Sequence, residues 1–159
     1  MFIVNGNSLI NNLNTGQILT GLDLGDKTIG VAISDKNLII GSPLITIARK
    51  NTKKDIEELK IIFREYNIGG IVLGLPLGLD GSENIRTKKT REFGKKLIIN
   101  AGIDTYLQDE RFSTDVIYKQ MINTSISRKK IKKYIDKASA SYILQSFLEK
   151  YKSNNLQNI

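Results

Sequence analysis

The chain contains no cysteine and no histidine among its 159 residues. Without cysteine it cannot form disulfides, thiolate metal sites or a thiol nucleophile, and this composition is compatible with a reducing compartment. Without histidine it cannot use Ser-His-Asp triads, the common zinc sites or an imidazole base. If the protein is an enzyme, then carboxylates, Lys, Arg or a hard metal ion must carry its chemistry.

Long apolar segments are also missing. No apolar run approaches the roughly 18 to 20 residues that a membrane-spanning helix needs, and the beginning MFIVNGNSLINNLNTGQ lacks the basic region of a secretion signal. We therefore expect a soluble, cytoplasmic protein. A chain of this length can bury one sizeable core, so we also expect a single domain.

Positive charge, in contrast, is in excess. The chain has 24 Lys and Arg residues against 16 Asp and Glu residues, which gives a formal charge of +8 at pH 7 and a pI near 9.6. This balance favours a polyanionic partner such as nucleic acid. It does not distinguish RNA from DNA or from an acidic protein.

Two basic segments, 86–96 (RTKKTREFGKK) and 128–137 (RKKIKKYIDK), together hold half of the Lys and Arg residues. Each segment alone is typical of a solvated helix face. Together they favour contact with nucleic-acid phosphates, because the basic residues of the second segment directly precede Asp136, a candidate catalytic acid. Tyr134 could stack on a base. The candidates for these contacts are Arg86, Lys129, Lys130, Lys132 and Lys133.

The hydrophobic pattern of the first half predicts strands followed by alternating helices and strands. Three β-rich runs predict an antiparallel meander: ILTGLDL, TIGVAIS and LIIGSPLIT. A helix over 51–67, with Thr52 and Asp55 as a capping pair, precedes the continuously apolar run GGIVLGL, which is typical of a buried parallel strand. A second helix over 82–101 ends before Gly102, and the strand IDTYLQDE follows it.

The last third is predicted to be helical. Ser113 can cap the run TDVIYKQMI, and an apolar stripe from Ala140 to Tyr151 marks the final helix. The whole order predicts an α/β fold with a five-stranded mixed sheet, a three-stranded antiparallel meander plus parallel strands, and helices on both faces. We assign 18–151 to the domain, 1–17 to an N-terminal extension compatible with disorder, and 152–159 to a C-terminal tail.

Three acids fall at comparable places in this pattern. Asp23 closes the first strand, Glu110 closes the last strand beside Asp109, and Asp136 opens the final helix on the face that carries Ala140. Ligands gather at strand ends in layered α/β sheets. Carboxylates brought close together are unfavourable unless one is protonated or a cation lies between them, and Asp and Glu suit Mg²⁺ or Mn²⁺. Two such ions can drive phosphodiester hydrolysis without an imidazole.

Each acid also has a structural interpretation. Asp136 could be a helix N-cap, and Asp109 and Glu110 could open a solvated loop. Asp26 is better explained by the turn Gly25-Asp26-Lys27 than by metal binding. Only the joint placement of Asp23, Glu110 and Asp136 favours a catalytic site.

Four segments of the chain, in this order and spacing, resemble the YqgF family, also called the RuvX or pre-16S rRNA nuclease family, of the ribonuclease H-like superfamily. They are GLDLGDKTIGVAISD, IVLGLPLGLDGSENIRTKKTREF, LQDERFSTDVI and IDKASASYILQSFLE. The resemblance covers about residues 18–151. It implies a ribonuclease H-like fold and a metal-dependent nuclease that matures the 5′ end of small-subunit ribosomal RNA, with the ribosome or its precursor as a further partner.

Carried over by motif position, the acidic site of the family falls on Asp23, Glu110 and Asp136. Lys27 and Arg111 occupy basic positions that could contact phosphate. The loop motif matches Gly74, Pro76, Asp80 and Gly81, for which we hypothesise a rigid rim beside the site. Two positions depart from the family pattern: Asp26 stands where a small hydroxyl residue is usual, and Gly78 stands where Asn is common.

Other functions remain open at this point. A Holliday-junction resolvase that acts on branched DNA would use the same acids but normally requires a symmetric dimer, for which the sequence identifies no face. A non-catalytic RNA- or ribosome-binding module would keep the basic faces, although clustered acids near phosphates do not serve a pure binder. An actin-like ATPase also begins with Asp-x-Gly and a hairpin but needs two such domains.

Overall fold

A computed structural model describes residues 3–111 and 138–151. Its five strands are β1 (Ile18–Leu24), β2 (Thr28–Ser34), β3 (Gly41–Ala48), β4 (Ile68–Leu75) and β5 (Thr105–Asp109). They form one sheet in the order β3-β2-β1-β4-β5. The β1–β2 and β2–β3 pairs are antiparallel, whereas β1–β4 and β4–β5 are parallel. The prediction of a meander joined to parallel strands is confirmed.

Helices cover both faces of this sheet. The helices are α1 (Gly6–Asn11), α2 (Thr52–Glu65), α3 (Ile85–Ala101) and α4 (138–151). Apolar side chains of α2 and α3, among them Leu59, Phe63 and Leu97, form one buried cluster with the sheet. Leu9 of α1 and Phe147 of α4 belong to a second cluster, which contains Leu19 and Val72. Because side chains alternate along a strand, the two clusters lie on opposite faces.

A glycine on β1 allows α4 to approach the sheet closely. A Cβ atom at Gly21 would lie 2.7 Å from the Ala140 carbonyl oxygen and 2.8 Å from the Leu144 Cβ. Further along α4, Phe147 and Tyr151 contact the ring of Tyr106 near the start of β5, with ring centroids 5.1 and 5.4 Å away. The first described turn of α4 therefore lies toward the opposite end of the sheet, where β1, β4 and β5 finish.

The N-terminal segment differs from the sequence expectation, which allowed disorder in 1–17. Within the described residues 3–17, α1 is capped by the Asn5 side chain, which accepts a hydrogen bond from the Ser8 N–H. Leu9 is 1% exposed, and the Val4 N–H donates to the Thr105 carbonyl oxygen at 2.9 Å. Burial of one leucine contributes about 2 kcal/mol. Packing of Leu9 on the sheet therefore stabilises a helix that the Asn-rich sequence alone favours only weakly.

Part of the sequence prediction concerns residues that the structure does not describe. The helix after Ser113, the acid Asp136, the four lysines of 129–133 and the tail 152–159 all lie outside the described residues. Within 3–111 and 138–151, no helix combines the length and apolarity required to cross a bilayer.

Candidate active site

Asp23 lies near the end of β1, on the sheet face that α4 covers. It shares this face with Gly21, two residues earlier, because alternate residues of a strand point the same way. Its partner across β2 is Gly30, which has no side chain. The carboxylate thus stands beside open backbone at the end of a central strand, where an uncompensated charge is costly.

Glu110 directly follows β5 and extends its pairing, since its N–H donates to the Leu75 carbonyl oxygen at 3.2 Å. Its side chain lies over Gly74 of β4. A Cβ atom at Gly74 would come within 2.6 Å of both Glu110 Oε2 and Ile143 Cδ1 of α4. The glycine of the loop motif therefore provides the space that the Glu110 carboxyl group occupies.

Asp23 and Glu110 meet at this end of the sheet. Burial, the charge of Asp23 and a hydrogen bond between the two carboxyl groups together raise the pKa of Glu110 to about 8. Asp109 adds to this rise, while the charge of Arg86 opposes it. Near neutral pH the pair holds a proton in place of a second negative charge. The two acids are thus arranged for a cation.

The predicted basic residues surround this pair differently. Arg86 is exposed in the first turn of α3, and its charge reaches Glu110. Arg111 forms an ion pair with Asp109, with Nη2 and Oδ2 2.7 Å apart. Burial opposes ionisation of Asp109, but the hydrogen bonds and charge of Arg111 outweigh it and lower its pKa. Lys27 is exposed in the turn between β1 and β2.

The loop 76–84 forms an ordered border beside the site. The Pro76 carbonyl oxygen accepts a hydrogen bond from the Thr87 hydroxyl, and Thr87 also forms a capping box with Asn84 at the start of α3. Asp80 accepts a hydrogen bond from the Ser82 N–H at 2.9 Å, and the hydrogen bonds from Ser82 lower the pKa of Asp80. These contacts support the hypothesis of a rigid rim.

Asp26 does not join the two acids. It is exposed in the turn, where the Gly25 N–H donates to the Thr28 carbonyl oxygen at 2.8 Å. With Leu24 and Phe93 it lines a cavity on the face that α2 and α3 cover. The position of Asp26 agrees with the interpretation as a turn residue.

The donor chemistry of the pair fits a divalent cation. Carboxylate oxygens are hard ligands suited to Mg²⁺ or Mn²⁺, and a divalent cation between Asp23 and Glu110 would favour the ionised form of Glu110, whose pKa is raised to about 8. Gln108, two residues before Glu110, carries a buried amide oxygen without a hydrogen-bond partner in the described part of the chain. No sequence motif indicated this residue. Within 3–111 and 138–151, three or more acids do not cluster as a metal site, and Asp136 lies outside these ranges.

Comparison with known proteins identifies a family and close relatives in sequence. A family model described as "RuvX: Holliday junction resolvase" matches residues 17–150. A protein of Bartonella tribocorum named "Putative pre-16S rRNA nuclease" is 38% identical over 159 residues, which cover 100% of this chain and 99% of that protein. A protein of the same name from Sphingopyxis alaskensis is 42% identical over 137 residues, 86% of this chain and 90% of the relative.

Solved structures show the same fold at low sequence identity. RuvC of T. thermophilus, solved with a Holliday junction substrate, matches with a TM-score of 0.52 and 8% identity, over 84% of this chain and 95% of that one. The Fowlpox virus resolvase, solved with junction DNA, matches with a TM-score of 0.50 and 18% identity, over 84% and 98% of the two chains. Because the family model matches residues 17–150, almost the whole described fold, the chain belongs to the RuvX family, a family of nucleases that act on phosphodiester bonds.

Proposed function

We propose that this protein is a metal-dependent nuclease in which Asp23, Glu110 and Asp136 hold Mg²⁺ or Mn²⁺. The observation that carries the proposal is the meeting of Asp23 and Glu110 at the ends of β1 and β5, where the pKa of Glu110 rises to about 8. Asp136 enters as the third ligand because it precedes the described part of α4 by two residues.

Each residue of the site has a separate task. Asp23 and Glu110 supply anionic oxygens, and Gly74 leaves the space in which Glu110 is held. Arg86 is exposed beside the pair and can hold a substrate phosphate. A bound divalent metal would activate water and stabilise the leaving oxygen of the phosphodiester. No histidine is required for this chemistry.

We propose precursor 16S rRNA as the substrate and its 5′ end as the cleavage region. The names of the relatives support this choice, and so does the formal charge of +8. Lys27 and Arg111, together with Lys129, Lys130, Lys132 and Lys133, would contact its phosphates. We place the protein in the cytoplasm, where such a substrate is made.

The test compares cleavage of a precursor 16S rRNA fragment by the wild type and by Asp23→Asn, Glu110→Gln and Asp136→Asn, each with Mg²⁺ and with Mn²⁺. We expect each variant to lose at least about 1,000-fold in rate, because removing a metal ligand removes transition-state stabilisation. Glu65→Gln, an exposed carboxylate near the end of α2, serves as the matched control and keeps wild-type activity. Equal activity in the wild type and Asp23→Asn would refute the metal assignment.

A second candidate substrate is the Holliday junction, which the description of the family model favours. The same enzymes are assayed on a four-way DNA junction beside the RNA. Faster cleavage of the RNA supports the first substrate, and symmetric cleavage of the junction alone would replace it. Binding of either nucleic acid without cleavage under any metal would indicate a binding module.

A further inference from the structure

A row of adjacent cavities lies along α2 and α3, on the sheet face opposite the acid pair. Three cavities of about 300, 260 and 440 Å³ follow one another in this row. Thr52 and Lys96 line both the first and the second cavity, and Lys60 lines both the second and the third. Shared lining residues make the three cavities one surface, which we call the helix groove.

The helix groove is basic. Among the described residues that line it, six are cationic and three are acidic. The acids are Asp26, Glu57 and Glu92. The cations are spread along its whole length: Arg49, Lys53, Lys60, Arg64, Lys89 and Lys96. Such a distribution attracts an extended anion more than a single phosphate.

One end of the helix groove lies at the edge of the sheet that carries the active site. Leu24 and Asp26, which line its first cavity, directly follow Asp23 through the turn between β1 and β2. The other end reaches Asn67 and Ile68 at the start of β4. Lys27 is exposed in the turn that separates the acid pair from the first cavity. A strand that leaves the active site can cross this turn and enter the groove.

The length of the helix groove suits a nucleic-acid strand. Thr52 and Arg64, near its ends, are twelve residues apart on α2, which corresponds to about 18 Å at the helical rise. This length is enough for several consecutive phosphates of a nucleic-acid strand.

The cation at the active-site end, Arg49, is held in a fixed position by buried Asp55, which offsets its charge, so the positive charge of the groove comes mainly from its other cations. Arg49 Nε donates to Asp55 Oδ2 at 3.2 Å, and Arg49 Nη1 donates to the Gly25 carbonyl oxygen at 3.1 Å. The guanidinium carbon lies 5.7 Å from the centre of the Phe93 ring. Phe93 is 4% exposed, so a nucleobase cannot stack on it. The described residues that line the groove therefore offer contacts to the backbone and no exposed aromatic face that could bind a base.

We infer that the helix groove binds the phosphate backbone of the nucleic acid beyond the cleavage point. This inference rests on the proposed nuclease function, from which it takes the class of ligand. It assigns Lys53, Lys60 and Lys96 to substrate binding and extends the binding surface to the side of the sheet remote from Asp23.

The test measures binding and does not require cleavage. Fluorescence anisotropy of a labelled 30-nucleotide single-stranded RNA is recorded without divalent metal at several salt concentrations, with Asp23→Asn as the parent protein. The test variant adds Lys53→Gln, Lys60→Gln and Lys96→Gln. The matched control adds three other exposed lysines changed to Gln: Lys36, Lys54 and Lys95. Lys54 and Lys95 are chain neighbours of the test residues but do not line the groove.

We expect the test variant to bind at least about tenfold more weakly at 0.1 M salt. The plot of log affinity against log salt should also become less steep, its absolute slope falling by about 2, since each phosphate contact contributes about 0.7. The matched control should change the slope by less than about 0.5 on the same scale. Replacing the same three lysines by Arg should retain the parent slope. An equal loss in test variant and control, or no loss in either, would overturn the inference. A cleavage assay of the wild type decides the nuclease function separately.

Discussion

Two carboxylate sites lie on opposite faces of the same sheet and are compensated in different ways. The Asp55 side chain is 1% exposed, and its two oxygens accept hydrogen bonds from Arg49 Nε at 3.2 Å and the Lys50 N–H at 3.0 Å. Glu110 is half-buried, and the group that it meets is the acid Asp23. Asp55 is paired directly with a cation, whereas Glu110 is hydrogen-bonded to a second acid and only the charge of Arg86 acts on it.

This difference separates a structural acid from a functional one. A buried charge with a partner and satisfied oxygens adds to the fold and has nothing left to bind. A pair of carboxyl groups that must share a proton has a free energy to gain from a cation. Burial alone, which Asp55 and Glu110 share to different degrees, does not identify a catalytic acid. The identity of the neighbouring group does.

The largest expected effect concerns the compensated site. Asp55→Asn removes the charge that faces half-buried Arg49, and we expect it to lower the free energy of unfolding by about 3 kcal/mol. Urea denaturation measures this change. Glu83→Gln is the matched control: its partner Arg91 lies 2.6 Å away, but both side chains are about 40% exposed, so the loss should stay below about 1 kcal/mol. Equal losses in the two variants would contradict the role of burial.

The next effect concerns the pair of Asp23 and Glu110 and follows from the raised pKa of Glu110. The folded state holds the Glu110 proton up to about pH 8, while the unfolded chain releases it near 4.5. The unfolded state therefore binds fewer protons between these values, and the stability of the metal-free protein falls as pH rises through this window. The loss over this window amounts to several kcal/mol, because each pKa unit corresponds to about 1.4 kcal/mol.

Glu110→Gln isolates this term from other titrations. The variant should be as stable as the wild type at pH 5 and more stable than it at pH 9, measured by urea denaturation in EDTA. Addition of Mn²⁺ at pH 9 should stabilise the wild type and leave the variant unchanged, because only the ionised pair binds the ion. Parallel stability curves for the two proteins between pH 5 and pH 9 would contradict the raised pKa.

Gly74→Ala tests whether the space beside Glu110 matters. The added methyl group would contact Glu110 Oε2 and Ile143 Cδ1, which are the mobile ends of their side chains and can move at little cost. We expect a loss of about 1 kcal/mol in stability, but a fall of about tenfold or more in cleavage rate because the carboxylate is displaced. Gly69→Ala, at the start of the same strand near Gln17, provides a control for stability. Unchanged cleavage by Gly74→Ala would contradict the positioning role.

The sequence predicted most of the fold because its strands are strongly patterned. The runs ILTGLDL and TIGVAIS coincide with β1 and β2. Local capping was predicted less well. Asn51, and not Thr52, caps α2, and the Asp55 carboxylate accepts a hydrogen bond from Arg49 instead of forming a capping pair with Thr52. The contact between Arg49 and Asp55 forms because the turn between β3 and α2 brings Arg49 to the start of α2. Helix α1 was missed because its stability comes from packing on the sheet.

The site was partly accessible from the sequence. The placement of Asp23 and Glu110 at strand ends predicted a joint site, since the parallel strands of one sheet finish at the same edge and β1 and β5 flank β4. The role of Gly74 was not accessible, because a glycine in a strand shows what it makes room for only when the facing side chains are known. Asp136 and the lysines of 129–133 lie outside the described residues, and their roles stay predictions.

The smallest expected effect distinguishes the two acids of the first motif. Asp26→Asn removes an exposed turn carboxylate on the side of the sheet that α2 and α3 cover. We expect the Mn²⁺ affinity measured by calorimetry to change less than about twofold, whereas Asp23→Asn should lower it at least about tenfold by removing a ligand. The two acids are only three residues apart, so general electrostatics would affect both similarly. A loss of affinity in Asp26→Asn as large as that in Asp23→Asn would identify Asp26 as a metal ligand. The metal would then lie at the edge of the sheet, between Asp23 and the β1–β2 turn.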